Sequence, residues 1–199
     1  MHQFILLILN YTTMSRGALH LIMGCMYSGK STEILKIIRR NKILDKKIMA
    51  INHTIDNRYG TNKIISHDKS ETECIQISAL LPIIQFKNDY KIKFHKADII
   101  IIEEAHFFED LYDFVIQSVD TYNKTVYVVG LNGDFEKKPI GQINKLIPHC
   151  DTIQKLDALC TMCKDGTFAI FTKRIIDDEN QILVGSRDMY IPVCRKHYN

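Results

Sequence analysis

The sequence predicts an α/β fold built on a parallel sheet buried on both faces, and three observations predict it. Short, continuous apolar runs occur at Ala18 to Met23, Ile48 to Ile51, Ile99 to Ile102 and Val126 to Val129. The stretches between them are long enough to hold a helix each, the spacing of alternating strands and helices. Composition agrees: of 199 residues, 46% are hydrophobic and 25% charged, with only 9 Gly and 4 Pro, which excludes a disordered or fibrous chain.

Taken in order, the chain opens with Phe4 to Leu9, shorter than a usual signal-peptide apolar region and with no basic residue before it. Residues 1–16 are read as an N-terminal extension, with Met14 open as an internal start. The first strand leads into a helix expected over Thr32 to Leu44, with Ile34, Leu35, Ile37 and Ile38 on one side. A second helix is expected from about Asp110 to Ser118. After Asp157 the texture changes to closely spaced cysteines and a basic pair at Lys173 and Arg174, so the expected units are residues 17–157 and a small appendage, 158–199.

The charge of +3, from 26 Lys and Arg against 23 Asp and Glu, is spread along the chain and is too weak a field to imply a nucleic-acid partner. Six cysteines are too few for a secreted disulfide scaffold, so a reducing, cytoplasmic setting is expected. No run approaches the roughly 20 apolar residues of a membrane span, and no membrane partner is expected.

Gly24-Cys25-Met26-Tyr27-Ser28-Gly29-Lys30-Ser31 fits G-x-x-x-x-G-K-[ST] without a mismatch, between a predicted strand and a predicted helix. In such a loop backbone N–H groups converge on phosphate oxygens, Lys30 reaches the β and γ phosphates and the Ser31 hydroxyl joins a Mg²⁺ shell. The run Asp98 to Ile102 ends in Glu103 and Glu104, the acidic group a P-loop needs at the end of a second buried strand. On an extended strand these neighbours point opposite ways, so Glu103 is expected to help hold Mg²⁺ and Glu104 to act as general base. A solvated acidic loop is the plainer alternative for the pair.

Cys160-x-x-Cys163 and Cys194-x-x-His197 stand about 30 residues apart. Three thiolates and an imidazole complete a tetrahedral Zn²⁺ shell with no open position, so the expected zinc is structural. A single C-x-x-C is also a redox signature. Cys25, Cys74 and Cys150 lack such spacing and read as buried or incidental thiols.

These signposts, in this order, resemble the type II thymidine kinases, the P-loop and zinc-containing class of animal cytosol, bacteria and large DNA viruses. The resemblance covers about Gly17 to Tyr198 and includes Asp56-Asn57-Arg58-Tyr59-Gly60, Ser66-His67-Asp68, Glu103-Glu104-Ala105-His106-Phe107-Phe108 and Gly130-Leu131-Asn132-Gly133-Asp134-Phe135. It implies a RecA-like P-loop NTPase core flanked by helices, with a C-terminal zinc-binding unit carrying a lasso loop. It implies ATP as phosphate donor, Mg²⁺, structural Zn²⁺ and thymidine as acceptor.

Residue by residue, it implies Glu104 as the base for the thymidine 5′-hydroxyl and Arg58 beside the transferred phosphate. Asp56, Asn57, Ala105 and His106 belong to the nucleotide site. Phe107 and Phe135 lie around the thymine ring, although both also read as core aromatics. Gln181, Ile182, Leu183, Val184 and Gly185, with Tyr190, form a strand-like lasso that reads thymine through its backbone. Tyr59 to Thr72 corresponds to a lid. The resemblance also implies a homotetramer and feedback inhibition by thymidine triphosphate, and no nucleic-acid partner. Glu103 stands where the family usually has Asp, His106 where Gln is common, Cys25 where Pro is common and Asn132 where Asp is common. The residues alone also admit a nucleic-acid-dependent P-loop ATPase with a zinc-ribbon module.

Overall fold

Alternate residues of the apolar runs go to opposite faces of one sheet. The computed structural model describes residues 16–56, 62–65, 70–178, 180–183, 185 and 188–199. Its first eight strands are β1 (Ala18–Gly24), β2 (Ile48–His53), β3 (Lys63–Ile65), β4 (Glu71–Glu73), β5 (Ile75–Ile77), β6 (Ile99–Ile102), β7 (Thr125–Gly130) and β8 (Thr152–Leu156). Six form an all-parallel sheet in the order β5-β2-β6-β7-β1-β8, while β3 and β4 pair antiparallel with each other. β7 therefore lies between β1, which carries the P-loop, and β6, which carries the two glutamates.

Leu19, Leu21 and Met23 of β1, Ile100 and Ile102 of β6, and Val126 and Val128 of β7 share one face with Phe94, Leu111 and Phe114. Ile22, Ile99, Ile101 and Val129 take the other face, under Ile34 and Ile38 of α1 (Lys30–Lys42). Burying each such side chain is worth about 1.5–3 kcal/mol, so the two-sided cover fixes each strand's position firmly. Phe94 sits in α3 (Asp89–Lys96), which follows the single turn α2 (Pro82–Gln85), and Phe114 in α4 (Leu111–Ile116). The Asn88 side chain caps α3 by accepting from the Lys91 N–H at 2.8 Å.

The expected helix over Thr32 to Leu44 runs two residues earlier. Gly29, at φ +84°, turns the chain directly into α1, and Ile43 and Leu44 lie exposed beyond its end. β8 carries the sequence Thr-Ile-Gln-Lys-Leu at the sheet edge, mostly exposed, and has no apolar run to announce it.

Beyond β8 come β9 (Ala158–Leu159), β10 (Phe168–Ala169), β11 (Phe171–Arg174), β12 (Tyr190–Val193) and α5 (Arg195–Tyr198). β9 pairs with β10 and β11 with β12, both antiparallel. Ala158, Cys160, Ala169, Val193 and Cys194 bury one cluster together with Cys25 of the P-loop, so this unit packs directly on the loop. Among the described residues no strand lies between β11 and β12, which corrects the expectation of a strand-like lasso: the connection is a loop whose carbonyls are bonded by side chains instead of by a strand partner.

Candidate active site

The end of β1 enters a loop that admits little bulk. A Cβ on Gly24 would lie 2.4 Å from the Leu156 carbonyl oxygen and 2.6 Å from Ser28 Oγ, so the first glycine is required by close approach. Gly29 then adopts the left-handed conformation and α1 begins at Lys30, with no side-chain cap. The first-turn N–H groups thus face the loop as donors. Lys30 Nζ folds back to donate to the carbonyls of Gly24 at 3.1 Å and Cys25 at 2.9 Å.

Ser31 Oγ donates to Glu103 Oε1 at 2.5 Å, which joins the end of the P-loop to the end of β6. This is a short, charge-assisted bond across two strands' worth of sheet. Glu103 and Glu104 do serve different partners, but for a different reason than strand alternation. The strand stops at Ile102, and Glu104 takes a left-handed backbone at φ +49° before a 3₁₀ turn over Ala105–Phe107. A non-glycine residue held there stores strain, a feature that concentrates at functional sites. Glu104 Oε2 lies 3.6 Å from Nδ1 of the buried His106, whose Nδ1 accepts from the Leu131 N–H at 3.3 Å.

One cavity of about 340 Å³ is lined by Met26, Tyr27, Gly29, Lys30, Ser31, Glu103, Glu104, His106, Phe107, Phe135, Gln181, Ile182, Leu183, Gly185 and Tyr190. It therefore joins the P-loop, both carboxylates, the two aromatics and the loop between β11 and β12. Ser28, Ala105 and Cys25 are buried beneath this surface and do not line it. Cys25 points its Sγ to the Ala169 carbonyl at 3.4 Å, and burial raises its pKa. Asp56 is also buried outside the lining, accepting from Asn52 Nδ2 at 3.2 Å. Burial first, then the charges of Glu103 and Asp56, push the Cys74 thiol up to about 12. Asn57, Arg58 and Val184 lie outside the described residues, as do Tyr59 and half of the expected lid; β3 and the start of β4 are among its described residues.

The ligand atoms of Cys160, Cys163, Cys194 and His197 lie within 4.8 Å of one another. A tetrahedron with ordinary zinc bond lengths sets about 3.8 Å between sulfurs and about 3.5 Å between sulfur and nitrogen. Cys163 and Cys194 Sγ stand 3.7 Å apart, and His197 Nδ1 is 3.5, 3.2 and 3.5 Å from Cys160, Cys163 and Cys194. The donor set and its spacing fit Zn²⁺. Burial opposes ionisation of Cys160, yet amide N–H groups of Cys194 and Cys163 and the His197 ring bring its thiol down to about 6, toward the thiolate a metal needs.

The family model described as thymidine kinase matches residues 17–198. The chain belongs to the thymidine kinase family. Thymidine kinase a of Arabidopsis thaliana is 38% identical over 183 residues, which covers 92% of this chain and 75% of that protein. The thymidine kinase of Oryza sativa subsp. japonica is 36% identical over 184 residues, with 92% and 66% covered. That of vaccinia virus strain Western Reserve is 36% identical over 185 residues, with 93% and 98% covered. Among solved structures, a chain from a complex of two Pif1 helicases on forked DNA aligns over 74% of this chain and 36% of its own. Its 15% identity and TM-score of 0.35 are too low to bear on this thymidine kinase fold.

Three residues of this family member have no role assigned from the sequence motifs. Asp134, buried after β7, accepts from the amides of Glu136 and Lys138 through Oδ1 and from Gln181 Nε2 at 2.7 Å through Oδ2. Thr172 Oγ1 on β11 accepts from the Met26 N–H at 3.0 Å and ties the P-loop to the zinc unit. Arg174 is buried between Phe135 and Tyr190. Each has at least one partner far along the chain: Met26 for Thr172, Gln181 for Asp134 and Phe135 for Arg174. The one available signal was a charged residue in a strand-like run, Arg174 in Phe-Thr-Lys-Arg.

Proposed function

We propose that this protein phosphorylates thymidine, transferring the γ-phosphate of ATP to the 5′-hydroxyl to give thymidine 5′-monophosphate. The observation that carries this reading is the single cavity, in which the P-loop lysine and serine, two carboxylates and a separate loop suited to a base all converge.

In this reading the P-loop amides, Lys30 and the start of α1 hold the triphosphate. Ser31 and Glu103 are the oxygen ligands that would hold Mg²⁺, which neutralises charge on the phosphates when bound. Glu104 accepts the 5′-hydroxyl proton as that oxygen forms its bond to the γ-phosphorus, while the bond from γ-phosphorus to the bridging oxygen breaks and ADP leaves with that electron pair. Arg58 is assigned to the transferred phosphate and Asp56 to its support. Phe107, Phe135 and the backbone of residues 181–185 are assigned to thymine, with residues 17–157 as the nucleotide-binding domain and 158–199 as the zinc and lasso unit. Zinc keeps that unit's shape and takes no part in the chemistry.

Incubating the purified, zinc-loaded protein with thymidine and ATP is expected to yield thymidine 5′-monophosphate. ATP hydrolysis stimulated by single-stranded DNA and indifferent to thymidine would reject the reading. Among the described residues no helix is long and apolar enough to cross a membrane. A cytoplasmic location, a homotetramer and inhibition by thymidine triphosphate complete the proposal, supported by the family resemblance.

A further inference from the structure

We propose that Arg174 is the positioning residue that gives the loop between β11 and β12 its nucleoside-binding shape, on the hairpin base that the zinc cluster fixes. The proposal rests on reading that loop as the thymine lasso.

A guanidinium has five N–H donors in a fixed plane and accepts nothing. All five find acceptors here. Nη1 donates to the carbonyls of Asp178 at 2.6 Å and Asn180 at 2.7 Å, and Nη2 to that of Gln181 at 3.5 Å. Nε and Nη2 donate to the Tyr190 hydroxyl at 3.2 and 2.7 Å. That hydroxyl spends its one proton on the Leu183 carbonyl at 2.9 Å. One side chain therefore fixes the carbonyls of residues 178, 180 and 181 directly and that of 183 through Tyr190.

The charge is compensated as well as bonded. Only 9% of Arg174 is exposed, its guanidinium stands 3.7 Å from the Phe135 ring centroid, and the Asp178 carboxylate lies 3.7 Å from Nη1. A buried cation so placed is stable only while the loop keeps these acceptors around it, so the loop's path and the arginine's burial demand each other. Stacking on Phe135 also links the loop to a ring that lines the cavity, beside the separate fastening of Gln181 to Asp134 at 2.7 Å.

The zinc cluster acts elsewhere. Its ligands precede β10 or follow β12, so it fixes one end of the β11–β12 hairpin. Arg174 pairs with Tyr190 at the other end, where the loop begins. The metal sets the base of the hairpin and the arginine sets the loop it carries.

The test compares Arg174→Met, which keeps an apolar stem, and Arg174→Lys, which keeps charge but neither plane nor five donors, in the full chain with zinc bound. Arg174→Met is expected to raise KM for thymidine at least about tenfold, with KM for ATP within about twofold, kcat within about threefold, and zinc content unchanged. Arg174→Lys should fall between. Amide exchange in the ligand-free protein should quicken at residues 178–183 in Arg174→Met and stay unchanged in β11 and β12. An unchanged thymidine KM, a parallel rise in both KM values, or loss of zinc overturns the proposal. Faster exchange with an unchanged thymidine KM places the failure in the lasso reading, and unchanged exchange places it at Arg174 itself. If Arg174→Met does not fold, Tyr190→Phe decides: it should give the same thymidine-specific rise, smaller in size, and no rise overturns the proposal.

Discussion

The phosphate cradle and the β11–β12 loop face one cavity and are built in opposite ways. The cradle is contiguous: eight residues, 24–31, carry the close-approach glycine, the left-handed glycine, the lysine and the serine, and its shape comes from a strand running straight into a helix. The loop after β11 has no such local design. Its carbonyls are held by Arg174 and Tyr190, from β11 and β12, and its Gln181 side chain by Asp134 in the turn after β7. On the proposed reading, the site for an invariant group, a phosphate, is encoded locally, whereas the site for one base among several is assembled from tethers.

The strongest test of the chemical side of this contrast is Glu104→Gln. Turnover should fall by about 10²- to 10⁴-fold, the usual cost of losing general-base catalysis, while ATP binding stays near normal. Unchanged kcat would remove Glu104 from the reaction. Next in size is zinc removal, by Cys163→Ser or a chelator, read by metal content and both KM values. Thymidine KM should rise about tenfold and ATP KM much less, because the hairpin base is lost and the cradle is locally determined. Equal losses would show instead that the cluster shared with Cys25 makes the two regions one unit.

Thr172→Val probes the seam between them. The Met26 N–H would lose its acceptor in a part-buried setting, a cost of about 1 kcal/mol in urea unfolding. An unchanged denaturation midpoint would mean the seam is slack. The smallest effect concerns pH. Burial holds the pKa of His53 and of His20 below the ordinary 6.5. The folded chain binds these protons less readily than the unfolded one, so their contribution to stability is complete above pH 6.5 and is lost as the pH falls through their lowered values. His53→Gln should flatten part of that acid-side decline in Tm, leaving both KM values at neutral pH nearly unchanged.

Most of the fold was legible because two-sided burial leaves unbroken apolar runs, as in Ile99–Ile102. β8 and the β3–β4 pair were not, because short strands at or beyond the sheet edge carry no long unbroken apolar run. The P-loop, the glutamate pair and the Cys/His cluster were legible because each stands at a short, recognisable spacing. The separation of Glu103 from Glu104 was anticipated for a reason the backbone does not bear out: a left-handed turn at Glu104, and not a continuing strand, divides them. Arg174, Asp134 and Thr172 carry no spacing rule, since each meets partners that only the folded chain brings near.

The thiol of Cys25 has a practical consequence. It is part of the phosphate loop by sequence yet is sealed inside the zinc unit's apolar cluster, with its ionisation suppressed by burial. Alkylating reagents attack thiolates, so this cysteine stays silent while the two units remain together and becomes a chemical clock for their separation.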